Sequence, residues 1–151
     1  MSGGHEALRP FHRVAYGVGL ALCLGTPGLI VALLLSGAVP AGTQAPEGVL
    51  RQVGYLFTGF VFLSATWVWW RSTRALQAFR EVPAAQRPSV IFREGLVSAL
   101  ALESSCLCGL IYWMLVGSHS PRHVWGFILM TPLLFLALVP RFSRWVGALD
   151  R

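Results

Sequence analysis

Four apolar stretches, each about as long as a lipid bilayer is thick, leave this chain few ways to fold. They run over about residues 14–36, 52–70, 95–116 and 123–139, and Glu103 is the only charged residue inside any of them. Crossing a hydrocarbon core of ~30 Å takes about 20 helical residues at ~1.5 Å each. Lipid offers no partner for an unpaired N–H or C=O, and the stretches lack the alternation of a barrel strand, so helices are the expected conformation. Only 12% of the 151 residues are charged, against roughly 25% in a soluble domain. Too little polar surface remains to cover a water-soluble globule. The expected fold is all-α, a transmembrane bundle of four helices forming one integral membrane domain over residues 1–151.

The distribution of charge orients the bundle. The net charge is +6 and all twelve basic residues are arginine. They flank the apolar stretches and form no continuous stripe, zinc-finger spacing or basic helix, so nucleic acid is not an expected partner. Arg9 and Arg13 precede the first span. Arg71, Arg74, Arg80, Arg87 and Arg93 lie between the second and third, and Arg141, Arg144 and Arg151 follow the fourth. The opposite side carries only Arg51 and Arg122. Positive charge is retained in the cytoplasm, so both termini are expected there. Trp67, Trp69, Trp70 and Trp145 fall at the cytoplasmic interface and Trp113 and Trp125 near the outer one, where amphipathic rings are favoured. A cleaved signal peptide is the competing reading of the first stretch. Its apolar run of about 23 residues exceeds the ~7–15 of a signal core, so span one is expected to stay. The absence of lysine, with abundant Ala, Gly and Arg, suits a high-GC bacterium and its inner membrane.

Small residues mark the expected helix contacts. Gly17, Ala21 and Gly25 recur every four positions in span one, and Ala101, Ser105 and Gly109 do so in span three. Such ridges let another helix approach closely. Pro27 and Pro132 are expected to kink spans one and four. Span two is expected to continue as a helix past Arg71 and Arg74 to Arg80, to break over residues 82–88, and to re-enter a helix near Ser89. The five arginines of that connection set topology, with anionic headgroups as a second use.

Glu103 lies ~4 Å to the cytoplasmic side of the middle of span three. An ionised carboxylate there costs a few kcal/mol, and no basic residue lies in any span to neutralise it. A protonated side chain is expected, with Thr58, Ser64, Thr131 or Tyr112 as hydrogen-bond partner. Glu103 projects about 200° from Ser105, so it leaves the helix on a different face from the small-residue ridge. Two readings stay open: a proton-binding group, or an interhelical hydrogen bond of about 0.6–2 kcal/mol that holds the bundle.

The stretch 85–116 resembles the second half of ATP synthase subunit c. The likeness is carried by the loop Gln86-Arg87-Pro88, the carboxylate Glu103, and Gly109 leading into Leu110-Ile111-Tyr112. It implies that Glu103 takes up and releases a proton. That family has two spans where this chain has four, and its glycine-repeat helix is replaced here by a span holding only Gly54 and Gly59. The pattern is also similar to small four-span bacterial membrane proteins with a glutamate in the third span.

No cofactor or metal is expected. Cys106 and Cys108 point about 200° apart on a helix and cannot converge on one ion, and the three cysteines are too few and too apolar in setting for a disulfide framework. His119 and His123 are read as loop residues. Without a nucleophile–base pair or a phosphate loop, the chain is not expected to be an enzyme. The expected role is an accessory or scaffold subunit, embedded in the lipid bilayer and oligomeric with itself or other membrane subunits. The alternative is a proton-coupled carrier or proton-conducting element using Glu103.

Overall fold

The structure, a computed structural model, describes residues 3–150; Arg151 lies outside them. Five α-helices follow one another: α1 (Gly3–Leu35), α2 (Val49–Ala78), α3 (Arg87–Val116), α4 (Pro121–Leu138) and α5 (Phe142–Leu149). No strand occurs among the described residues. Four segments, Leu8–Leu35, Val49–Glu81, Ala84–Val116 and Pro121–Leu149, are long and apolar enough to cross a membrane. They contain the expected spans, save that the first segment stops at Leu35, one residue short of the expected end.

The helix ends follow from backbone chemistry. Gly37, with φ +73°, supplies the left-handed residue after α1, and its N–H reaches the Leu34 carbonyl. Gly117, with φ +59°, does the same after α3 and donates to the Trp113 carbonyl. Pro121 opens α4 at a position whose N–H would have no partner in the helix. His123 therefore lies inside α4, and its Nδ1 sits 2.6 Å from the Ser120 hydroxyl. Pro140 follows α4, where the chain cannot continue as a helix. The break after α2 falls where expected: a tight turn over Phe79–Glu81, extended Val82, a second tight turn over Ala84–Gln86, then α3.

α3 is the central element and packs against α1, α2 and α4. Three buried clusters lie along the bundle. One joins Ile30, Val61, Tyr112, Val124 and Ile128 near the α3–α4 turn. The next joins Cys23, Val68, Ala99, Leu102 and Phe135 in the middle. The last joins Leu8, Phe79, Ile91 and Trp145. This last cluster gathers the start of α1, the α2–α3 connection and α5 at one end of the bundle, so the described chain begins and finishes at its arginine-rich end. α5 docks there through Trp145, whose ring meets Phe79 edge-on at 4.7 Å. His12 Nε2 lies 3.2 Å from the Pro140 carbonyl and ties the start of α1 to the same corner.

Candidate functional site

Glu103 is buried on α3, and the groups beside its carboxyl come from α3 itself and from α1. Cys106 Sγ, one turn along, lies 3.1 Å from both Glu103 Oε2 and the Glu103 backbone carbonyl, which share its single S–H. Thr26 of α1 lies beside the carboxyl, as does Cys23. Oε1 is buried with no hydrogen-bond partner. That atom is the one incompletely satisfied carboxylate oxygen among the buried side chains described. A buried acceptor without a donor costs about 1–3 kcal/mol, so it marks a place where the fold tolerates cost.

None of the four hydroxyls expected to partner Glu103 does so. The Thr58 hydroxyl donates to the Gly54 carbonyl of its own helix at 2.9 Å. Ser64 lies 3.4 Å from the Ser104 hydroxyl. Tyr112 packs against Gly54 on α2. Thr131, from α4, is taken up by the α3 backbone: it accepts from the Cys106 N–H at 3.1 Å and donates to the Leu102 carbonyl at 3.3 Å. Those two backbone groups would otherwise bond each other as residues i and i−4, so the hydroxyl inserts into the ladder one turn around Glu103. The reason for the miss is physical. Hydroxyls on helices return to nearby carbonyls, which leaves the Cys106 thiol and the Thr26 hydroxyl of α1 as the groups beside the carboxyl.

The small-residue ridge of α3 packs within the chain. The Ser105 hydroxyl donates to the Phe127 carbonyl of α4 at 2.7 Å. At Gly109 a Cβ would lie 2.9 Å from Ile128 and 3.1 Å from the Val124 carbonyl, so only hydrogen fits without movement. Ala101 packs against the middle cluster, which includes Val68 of α2. Glu103 leaves on another face, as its angle from Ser105 requires.

The ridge expected on α1 meets no other helix among the described residues. Gly17, Ala21 and Gly25 are exposed, and a Cβ on Gly17 or Gly25 would find nothing within 4 Å. The face that packs is offset by two residues, about 200° around the helix: Ala15, Gly19 and Cys23 are buried. A Cβ at Gly19 would come within 2.7 Å of the Phe135 ring, and Cys23 Sγ lies 3.8 Å from the Ala99 carbonyl.

One site residue escaped the sequence reading. Glu94, one residue before the expected start of span three, is buried and bound by Arg71 of α2. Arg71 Nε reaches Oε2 and Nη2 reaches Oε1, both at 2.8 Å, a two-pronged ion pair. Arg71 also stands 5.3 Å over the Trp67 ring, and Arg93 lies 3.6 Å from Glu94. The available signal was one of two acids among five arginines, placed on a helix that must run antiparallel to the one carrying Arg71.

Among the described residues, no group of three or more His, Cys, Asp or Glu side chains is placed to hold a metal ion. No protein-family model, curated protein or solved structure matches this chain.

Proposed function

We propose that the chain is a non-catalytic, multi-pass subunit of a bacterial inner membrane, with both termini cytoplasmic, that scaffolds a larger assembly. The observation that carries this reading is the bare ridge on α1. A glycine inside a helix costs ~0.8–1 kcal/mol relative to alanine. Gly17, Gly25 and Gly28 all lie in α1 with nothing of this chain within 4 Å of a would-be Cβ. Lipid tails gain little from such a groove, whereas a second helix gains close backbone approach. A transmembrane helix of another subunit, or of a second copy, offsets the cost.

The test is the size of the native assembly in mild detergent. The parent is expected to migrate in a complex larger than its own 16.5 kDa. Gly25→Leu should return it to the monomer, while Gly126→Leu, at another open glycine on α4, should not. A monomeric parent, or a Gly25→Leu protein still in the complex, would refute the scaffold.

A second reading rests on one atom. Oε1 of Glu103 has no hydrogen-bond partner, and an acid at this depth in a span is a proton-binding group by default. Reconstituted in vesicles, the parent would then move protons and Glu103→Gln would not.

A further inference from the structure

The sequence distributes Arg80 and Arg144 to separate segments, and the fold brings them to one cleft. It has a volume of about 650 Å³ and opens at the arginine-rich end between the last turns of α2 and helix α5. Thr73, Leu76, Gln77 and Arg80 line one wall, a single face of α2 and its following turn. Ser143 and Arg144 contribute to the other. Neither guanidinium has an ion-pair partner among the described residues. This distinguishes the two from Arg71, which is held by Glu94. The cleft thus presents two cations, the Ser143 hydroxyl and the Gln77 amide over an apolar patch at Leu76, while the Thr73 hydroxyl donates to the Trp69 carbonyl at 2.8 Å.

Depth selects the ligand. Thr73 lies three residues past Trp70 and Gln77 seven, so the cleft begins ~4.5 Å beyond the aromatic belt and Gln77 is ~10 Å beyond it. Headgroups occupy a layer of roughly 5–7 Å on each side of the hydrocarbon core. The belt is anchored by Arg74, which stands 4.1 Å over the Trp70 ring. α5 is held against the end of α2 by Trp145, buried against Phe79. The Arg80 backbone lies ten residues past Trp70, ~15 Å beyond the belt, so its guanidinium meets a lipid phosphate by turning back toward the membrane, as long basic side chains do at interfaces, and arginine forks match phosphate oxygens.

We propose that the cleft between α2 and α5 binds the phosphate of an anionic phospholipid headgroup, gripped between Arg80 and Arg144 with Gln77 and Ser143 as neutral partners. Because Ser143 and Arg144 belong to α5, an occupied site fixes that helix against the bundle. The proposal does not depend on the scaffold reading, which concerns the opposite property of a different helix.

The experiment uses the full chain in phosphatidylcholine nanodiscs containing a minority of phosphatidylglycerol, with retained phosphatidylglycerol counted by native mass spectrometry. Arg80→Gln/Arg144→Gln is expected to lower retention about 30-fold, from roughly a factor of five per arginine near the surface. Arg80→Lys/Arg144→Lys should keep most of it, and this pair guards against misreading an unfolded variant. Arg51→Gln/Arg122→Gln, at the other end of the bundle, should change it less than about twofold. Unchanged retention in the glutamine pair would overturn the site, and so would an equal loss in the control pair. Displacement of the lipid by millimolar glycerol 3-phosphate would overturn the lipid as ligand, assigning the cleft to a soluble phosphate.

Discussion

Glu94 and Glu103 lie on one helix, both buried, nine residues apart, and the fold treats them in opposite ways. Nine residues turn the helix through about half a circle and advance it ~13.5 Å. Glu94 accordingly faces α2, where Arg71 grips both oxygens at 2.8 Å. Glu103 faces α1 and receives one thiol. The difference follows from depth. Near the arginine-rich end a guanidinium can bind a buried carboxylate while keeping 30% of its own side chain exposed, so the cation is not fully desolvated. Halfway along the bundle no arginine can do this without entering the apolar window, and none does. A buried acid is thus held by charge at one level and by weak neutral donors at the other. The first arrangement fixes two helices. The second leaves an acceptor unfilled.

The largest expected effect comes from breaking the first arrangement. Glu94→Ala leaves the Arg71 guanidinium without its carboxylate, and destabilisation of about 2–3 kcal/mol is expected. That is below the ~3–5 kcal/mol of a fully buried pair, because Arg71 remains partly solvated. Replacing both partners, Arg71→Leu/Glu94→Leu, should cost less, about 1 kcal/mol, since no lone charge remains. Unfolding by sodium dodecyl sulfate in mixed micelles, followed by circular dichroism, measures both. A loss under about 0.5 kcal/mol for the single variant would place Glu94 among ordinary surface pairs and remove the contrast with Glu103.

The same contrast explains which parts of the molecule the sequence made legible. Four helices were readable because length and hydropathy alone define them, and Glu103 stood out as a charge inside such a stretch. Glu94 did not, because a charge at the edge of an apolar run reads as its boundary; the expected span began at Gly95. α5 is too short for periodicity to reveal, although Phe142, Trp145 and Leu149 share its packed face. On span one, two small-residue ridges with the same four-residue period interleave two positions apart. Pattern cannot say which one faces inward. The bulk of Phe135 decides it, since its ring needs the space at Gly19. The donor to Glu103 was equally hidden, because the capture of Thr131 by the α3 backbone is a tertiary event.

A smaller effect is expected at that donor. Cys106→Ala removes the thiol's hydrogen bond to the Glu103 carboxyl, leaves Thr26 beside that carboxyl, and opens a small void at a fully buried position. The expected loss is about 1–1.5 kcal/mol, combining a weak interhelical-type bond with a lost sulfur. Cys106→Ser keeps a donor at nearly the same place and should lose no more than half of that. If alanine and serine behaved alike, the thiol would be filling space only, and its bond to Glu103 would not matter to stability.

Glu103→Gln is expected to change stability least, by about 0.5 kcal/mol, and it carries the sharpest consequence. A glutamine has the same shape and no charge. Its carbonyl oxygen can accept from Cys106, and its amide then takes the place of Oε1, beside Thr26. Burying a charge this deep is costly, so a neutral carboxyl in the parent predicts that the amide replaces a neutral group with a neutral group. A stabilisation of several kcal/mol would mean that the parent holds a buried, unpaired charge, and the account of depth would fail. Given a near-neutral result, function divides the two readings. A scaffold keeps its assembly with Gln at 103, since the bare α1 ridge lies on another helix. A proton-binding element keeps its fold and loses its transport, because an amide cannot release the proton that a carboxyl can.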